Sequence, residues 1–312
     1  MALKQVLDVY EIMDDISVNG KVIIEYAKKI GIKNAFCRTI QGDKGSTDFV
    51  KFVLPGKHGK TNGGKAPTLG IVGRLGGLGA RPERIGFVSD GDGALSAVSA
   101  AIKLSLMAQK GDQLEGDVIV TTHICPTAPT RPHEPVPFMD SPVSIAAMNE
   151  AEIDPEMDAV LSIDTTKGNR IINKRGFAIS PTVKDGYILH ISEDLLSIMQ
   201  TTTGELPAVF AITTQDITPY GNGLYHLNSI LQPSVATSAP TVGVAITTVS
   251  PVSGCATGAS HEVDVAEVVR FVVEVAKEYT QGACSFFDKE EFTQMEERYG
   301  SMKHLQTAGK LS

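Results

Sequence analysis

Chemistry-bearing residues in this chain collect directly after apolar runs. Arg84–Val88 is followed by Ser89, Asp90, Gly91 and Asp92, and Asp117–Thr122 by His123, Ile124 and Cys125. Ala159–Ile163 leads into Asp164, Thr165, Thr166 and Lys167, and the run from Ala208 leads to Gln215 and Asp216. Thr241–Thr247 opens a turn of small residues that ends at Ser260, His261 and Glu262. In an open α/β sheet the ligand crevice lies outside the carboxyl ends of the strands. Asp90, Asp92, His123, Asp164, Asp216 and His261 are therefore placed to share one rim. Carboxylates and imidazoles that converge in this way are how zinc or manganese sites are built.

Each of these residues also has a plainer role open to it. An aspartate ahead of a helix commonly caps it, which suits Asp90 or Asp92. A single histidine on an apolar strand is commonly a hydrogen-bonded core residue, and Asp216 can simply begin a turn. His123 and Cys125 lie two apart and face the same way on a strand, but a thiol nucleophile needs an orienting group besides its base. The run Gly73-Arg74-Leu75-Gly76-Gly77-Leu78-Gly79 follows a strand as phosphate loops do. It matches no nucleotide fingerprint, because Ala80-Arg81-Pro82 follows where a helix should open. A tight backbone crossing beside the site is the expected role. The segment Arg131 to Pro135, with His133 and Glu134, is a proline-rich loop beside the end of the His123 strand.

The elements that position these residues read as follows. Gln5–Ile16 and Val22–Ile30 are amphipathic helices, so residues 1–31 form a helical opening. Two short strands follow, over Ala35–Ile40 and Asp48–Leu54, and residues 45–67 hold a glycine-rich loop or reduced lid. From Thr68 apolar strands alternate with helices: Ala94–Gln109, Ser141–Ala151, Ser192–Thr202 and Val263–Tyr279. Nearly continuous apolar strands between helices indicate a mainly parallel sheet covered on both faces. Asn169–His190 reads as a hairpin on the sheet edge, and residues 281–312 as a surface helix with a tail. One α/β domain spanning 1–312, with its core in 68–280, accounts for the whole pattern.

The order strand–Asp–helix (FVSDGDGALSAVSAAIKL), strand–polar (VIVTTHICP), strand–Asp (VLSIDTT) and strand–turn–helix (VAITTVSPVSGCATGASHEVDVAEVV) resembles the zinc-dependent aminopeptidases, the glutamyl and deblocking enzymes above all. The likeness covers about residues 66–280. The whole chain is also similar to a family of bacterial and archaeal proteins of about this length, from which no activity follows. The aminopeptidase resemblance implies a three-layer α/β/α fold. It implies a divalent metal, zinc by preference, with Asp90 or Asp92 as the bridging carboxylate and Asp164 as a later ligand; a rearranged site would use Asp92, His123, Asp164 and His261. Glu134 or Glu262 would then be the base. The chain departs from the family pattern at three positions. Gly73-Arg74-Leu75 stands where the first metal histidine belongs, His123 and Ile124 where a pair of glutamates belongs, and Thr257 or His261 where the last histidine belongs. On this reading the protein is a metal-dependent hydrolase of amide or peptide-like small substrates, working through a metal-activated water. The alternative is a non-catalytic descendant that binds a small molecule or peptide in the same crevice. An enzyme using the Gly73–Gly79 loop for phosphate is a third.

Composition narrows the partners. The chain has 28 basic and 36 acidic residues, a net charge of −8 and a pI near 5.4. A nucleic-acid binder would show a basic face instead. No apolar run is long enough for a bilayer, and the acidic, amphipathic opening does not read as a targeting signal. A cytoplasmic homo-oligomer with no nucleic acid or membrane partner is expected. Cys37, Cys125, Cys255 and Cys284 lack short pairings and fit a reducing compartment. Denatured without reductant, the protein should titrate all 4 cysteines as free thiols; two fewer would reveal a disulfide and overturn the compartment.

Overall fold

The computed structural model describes residues 2–74, 76–134, 136–212, 229–250 and 260–306. The chain opens with helices α1 (Leu3–Asp14) and α2 (Gly20–Lys29), the second capped by Asn19, whose side chain accepts from the amides of Lys21 and Val22. A hairpin of β1 (Ala35–Gly42) and β2 (Gly45–Leu54) follows, then β3 (Leu69–Gly73). Next come α3 (Asp92–Gln109), β4 (Val118–Ile124) and a small hairpin of β5 (Thr130–Arg131) and β6 (Phe138–Met139). Helix α4 (Ile145–Glu152) and strand β7 (Ala159–Thr165) precede three short strands, β8 (Gly176–Ile179), β9 (Val183–Lys184) and β10 (Tyr187–Ile188). The last elements are α5 (Glu193–Thr203), β11 (Thr241–Thr247), α6 (Glu262–Thr280) and α7 (Lys289–Tyr299).

The main sheet runs β1-β2-β4-β3-β7-β11, continued by β9 and β10, with β8 also paired to β11. β4, β3, β7 and β11 are parallel, and the flanking strands are antiparallel. Register brings the parallel strands to a common level: Gly73 lies beside Thr122 on one side and Ile163 on the other. The four central strands are fully buried on both faces, as the unbroken apolar runs require. Leu69, Ile71, Val120, Leu161 and Val244 face the core shared with α1, α2, α3, α5 and α6. Val72, Ile119 and Val160 face the other way, and α4 with the 3₁₀ turn Ser229–Val235 covers that side. The fold is a three-layer α/β/α arrangement with a mostly parallel centre.

Three expectations change. Arg84–Val88 is not a strand, because Gly86 turns the chain at φ 91° and Arg84 pairs back onto Ala80. Of the run that begins at Ala208, Val209 makes only an isolated bridge to Ile179, and the residues from Thr213 through Asp216 lie outside those described. Residues 45–54 are strand, and the glycine-rich loop after them sits at the amino edge of the sheet, away from the strand ends. Buried Asp117, just ahead of β4, holds it there by accepting from Gly56 N at 2.8 Å, Thr61 N at 2.8 Å and Thr61 Oγ1 at 2.7 Å.

Helix α3 reaches the strand ends because its inner face is made of small residues. Ala94, Ala97, Ala100 and Ala101 are all fully buried. At Gly93 an added Cβ would collide with the carbonyl of Arg74 and stand 2.6 Å from that of Ile163. Both obstacles are backbone, so they cannot yield. Gly93→Ala should therefore lower the free energy of unfolding by about 1–3 kcal/mol, read as a lower urea midpoint with an unchanged slope.

Candidate functional site

The close approach of α3 places Asp92, its first residue, on the carboxyl edge with no exposure to solvent. One carboxylate oxygen accepts a short hydrogen bond from Ser260 Oγ. The other accepts from Thr165 Oγ1 at 3.3 Å and lies 3.7 Å from the Lys167 ammonium. Lys167 is itself almost buried, with 8 % of its side chain exposed. Burial pushes the Asp92 carboxyl up to about 6, against the pull of Lys167 and the two hydroxyls. Asp164 ends β7 on the neighbouring position, fully buried, and accepts from Thr165 N at 2.6 Å. Asp90 is buried in the 3₁₀ turn Ser89–Gly91 that leads into α3. Thr165 thus touches both Asp92 and Asp164, and Ser260 ties Asp92 to the neighbour of His261.

His123 stands on the same edge but is already committed. Gly76 N donates to Nε2 at 2.8 Å, so the proton sits on Nδ1, which faces Thr47 Oγ1 at 2.9 Å. Thr47 Oγ1 in turn donates to Ile124 O at 3.3 Å, and Phe49 stacks on the ring. No lone pair is left for a cation, and the expectation of a metal-ligating His123 is corrected to a core histidine. Its partner Gly76 belongs to the glycine run, whose role is the tight crossing: a Cβ at Gly76 would overlap the carbonyl of His123. The Cys125 thiol is buried and pushed up to about 11 by that burial, so it stays protonated and is no nucleophile. Cys37, Cys125 and Cys284 are free thiols.

His261 is half-exposed ahead of α6, and its Nδ1 lies 3.3 Å from Asp264 Oδ2. Arg175 Nε donates to the other oxygen of Asp264 at 3.2 Å. Glu262, the first residue of α6, lines a cleft of about 500 Å³ with Arg175, Thr248 and His261. Glu134 is exposed between β5 and β6. A larger hollow of about 780 Å³ lies among α3, α5 and α6. It is no candidate site, because it lies away from the strand ends and its charges answer one another, as Lys277 does Glu274 at 2.7 Å.

Arg74, Lys167, Arg175 and Asp264 were not among the expected site residues. Arg74 follows β3 and is buried to 1 %. Its NH1 donates to Glu152 Oε2 at 2.5 Å and Asn149 Oδ1 at 3.2 Å, and NH2 to Gln232 Oε1 at 2.7 Å. Its position after an apolar strand was a usable signal, since the other candidates were found that way. Among the described residues no three His, Cys, Asp or Glu side chains come together to hold a metal ion. Asp92 faces an ammonium, and His261 turns one ring nitrogen to Asp264. The described donor set does not fit a divalent cation.

A family model described as protein of unknown function (DUF1177) matches residues 38–309. The chain belongs to that family. No curated protein sequence matches this DUF1177 chain. Among solved structures it is similar to a mutant tomato leucine aminopeptidase, with 11 % identity and a TM-score of 0.51 over 88 % of this chain and 61 % of that one. It is also similar to the bottromycin maturation enzyme BotP in complex with Mn, with 12 % identity and a TM-score of 0.49 over 88 % of this chain and 71 % of that one. The DUF1177 chain thus shares the aminopeptidase-like fold while spanning under two thirds of the length of the tomato enzyme. No helix among its described residues is long and apolar enough to cross a membrane.

His123 makes stability depend on pH. Burial, with the Arg74 charge beside it, pushes the imidazole down to about 3 from an ordinary value of 6.5. Between those values the unfolded chain binds a proton that the folded chain refuses, so stability is complete above 6.5 and falls as pH drops towards 3. From pH 7 to 4.5 the wild type should lose roughly 2 to 3 kcal/mol more than His123→Gln. Urea unfolding of both at the two pH values checks this, and parallel losses would refute it.

Proposed function

We propose that this protein binds a small, peptide-like molecule in the crevice at the carboxyl edge, and that it balances charge there with its own side chains. The observation that carries this reading is the Lys167 ammonium beside buried Asp92. A carboxylate at the mouth of α3, flanked by Thr165 and Ser260, is where a cation would be expected to sit. Here a tethered cation already neutralises it. The crevice remains open beside that pair, in the cleft bounded by Arg175, Thr248 and Glu262. Pockets of this size commonly hold small ligands.

The other reading is a metal-dependent hydrolase of amide or peptide-like substrates, with Asp90, Asp92, Asp164 and His261 as metal ligands and Glu262 as base. The aminopeptidase-like fold and the gathering of these carboxylates on one edge favour it. On that reading a divalent ion must displace Lys167 from Asp92.

Thermal melting separates the two. The wild type should melt alike with added zinc or manganese and with chelator. Lys167→Gln leaves a buried carboxylate without its partner and should cost on the order of 3 kcal/mol at pH 7. A metal-dependent rise in the wild type, near the 2.7 kcal/mol expected at a hundredfold excess over Kd, would overturn the proposal and install the hydrolase.

A further inference from the structure

The cleft beside the Asp92–Lys167 pair has a charge layout of its own. Asp264, only 3 % exposed, lies beneath it and binds two side chains at once. Arg175 Nε occupies one carboxylate oxygen and His261 Nδ1 the other. With Nε tied down, the terminal nitrogens of the Arg175 guanidinium hold no hydrogen bond among the described residues, and neither does Nε2 of His261. The guanidinium edge so left matches a carboxylate in shape and charge. Register explains why the two meet: Gly176 pairs with Thr247, so Arg175 stands opposite Thr248 at the end of β11, just across from the mouth of α6. Glu262 adds one carboxylate to the same cleft, and Val249 and Val263, 66 % and 49 % exposed, add apolar surface.

We infer that this cleft is a subsite for a free, apolar α-amino acid, with Arg175 taking its carboxylate, Glu262 its ammonium, and Val249 and Val263 its side chain. The charge inventory selects the class. A simple anion would meet Glu262 and Asp264, and a simple cation would meet Arg175. A molecule carrying both charges a few ångströms apart satisfies each. The volume of about 500 Å³ accommodates one amino acid with its side chain. Asp264 acts as a positioning residue here: buried beneath the cleft, it fixes Arg175 and the His261 ring. The inference rests on reading the crevice as a ligand-binding site, and it names the chemistry that this part of the crevice recognises.

Titration calorimetry tests it with leucine, leucinamide and N-acetylleucine on the full chain. The wild type should bind leucine at least tenfold more tightly than either derivative, because one lacks the carboxylate and the other the ammonium. Arg175→Gln should weaken leucine about tenfold and erase its advantage over leucinamide, while keeping the advantage over N-acetylleucine. Glu262→Gln should do the reverse. Glu262→Gln should melt with the wild type and Arg175→Gln somewhat below it, because buried Asp264 keeps only His261; a single cooperative transition in each confirms folding. Leucine binding that neither variant alters would overturn this subsite while leaving a ligand-binding crevice intact. Failure of leucine to bind, with dipeptides still bound, would also overturn the subsite alone. Failure of all of these compounds, dipeptides included, would overturn the subsite and the binding reading together.

Discussion

Burying the Arg74 guanidinium demands partners on several sides, and meeting that demand ties together elements far apart in sequence. An unpaired ion in the interior costs several kcal/mol even after relaxation. Arg74 leaves the end of β3 and finds Glu152 and Asn149 on α4 and Gln232 on the 3₁₀ turn Ser229–Val235. Those two pieces form the thinner layer of the fold, where the apolar clusters are small. Polar contacts therefore hold what hydrophobic burial covers only sparsely. On the neighbouring strand burial keeps His123 neutral, the Arg74 charge adds to that effect, and the neutral ring accepts from Gly76 N at the crossing.

A second cation does a comparable job on the other side of the strand ends. Lys167 stands three residues after Asp164, where β7 has just ended, and returns to Asp92 at the start of α3. An aspartate that opens a helix and an aspartate near the end of a strand thus sit among charges the chain supplies itself. Glu152 is raised by its burial and drawn back by Arg74, and Asp92 is raised by burial and drawn back by Lys167. Each carboxylate is costly alone and tolerable with its partner, so neither pair can be trimmed to a single member cheaply.

The layers, the parallel centre and most element ends were legible in the sequence. Unbroken apolar runs such as Ala159–Ile163 and Thr241–Thr247 can be strands of a covered sheet and little else. Arg84–Val88 misled because its composition is strand-like while Gly86 takes a left-handed φ that composition does not announce. His123 misled for a different reason. Its identity suits a metal, but what it does is decided by Thr47 and Gly76, which are 76 and 47 positions away. Long-range hydrogen bonds of that kind leave no periodic trace. Lys167 and Arg74 stand directly after apolar strands as the aspartates do, but a cation is no metal ligand, and its role shows only once its buried carboxylate partner is known.

A built-in cation changes what chemistry this fold can support. A metal ion brings two positive charges that can leave, whereas a lysine brings one that cannot. Once Lys167 is fixed beside Asp92, that carboxylate is balanced without any cofactor, and a ligand gains little by bringing a single compensating charge to it. Polar selectivity then moves to places where charges of both signs face open space side by side. Along the described edge that condition is met beyond β11, where Asp264 anchors Arg175 and His261 and Glu262 opens α6. The neighbouring Glu267 is raised by burial and by Asp264, so acidic groups crowd this end of the helix. A bound cationic group there relieves the crowding, and an anionic group needs the guanidinium close by. The same helix mouth thus favours molecules that carry both.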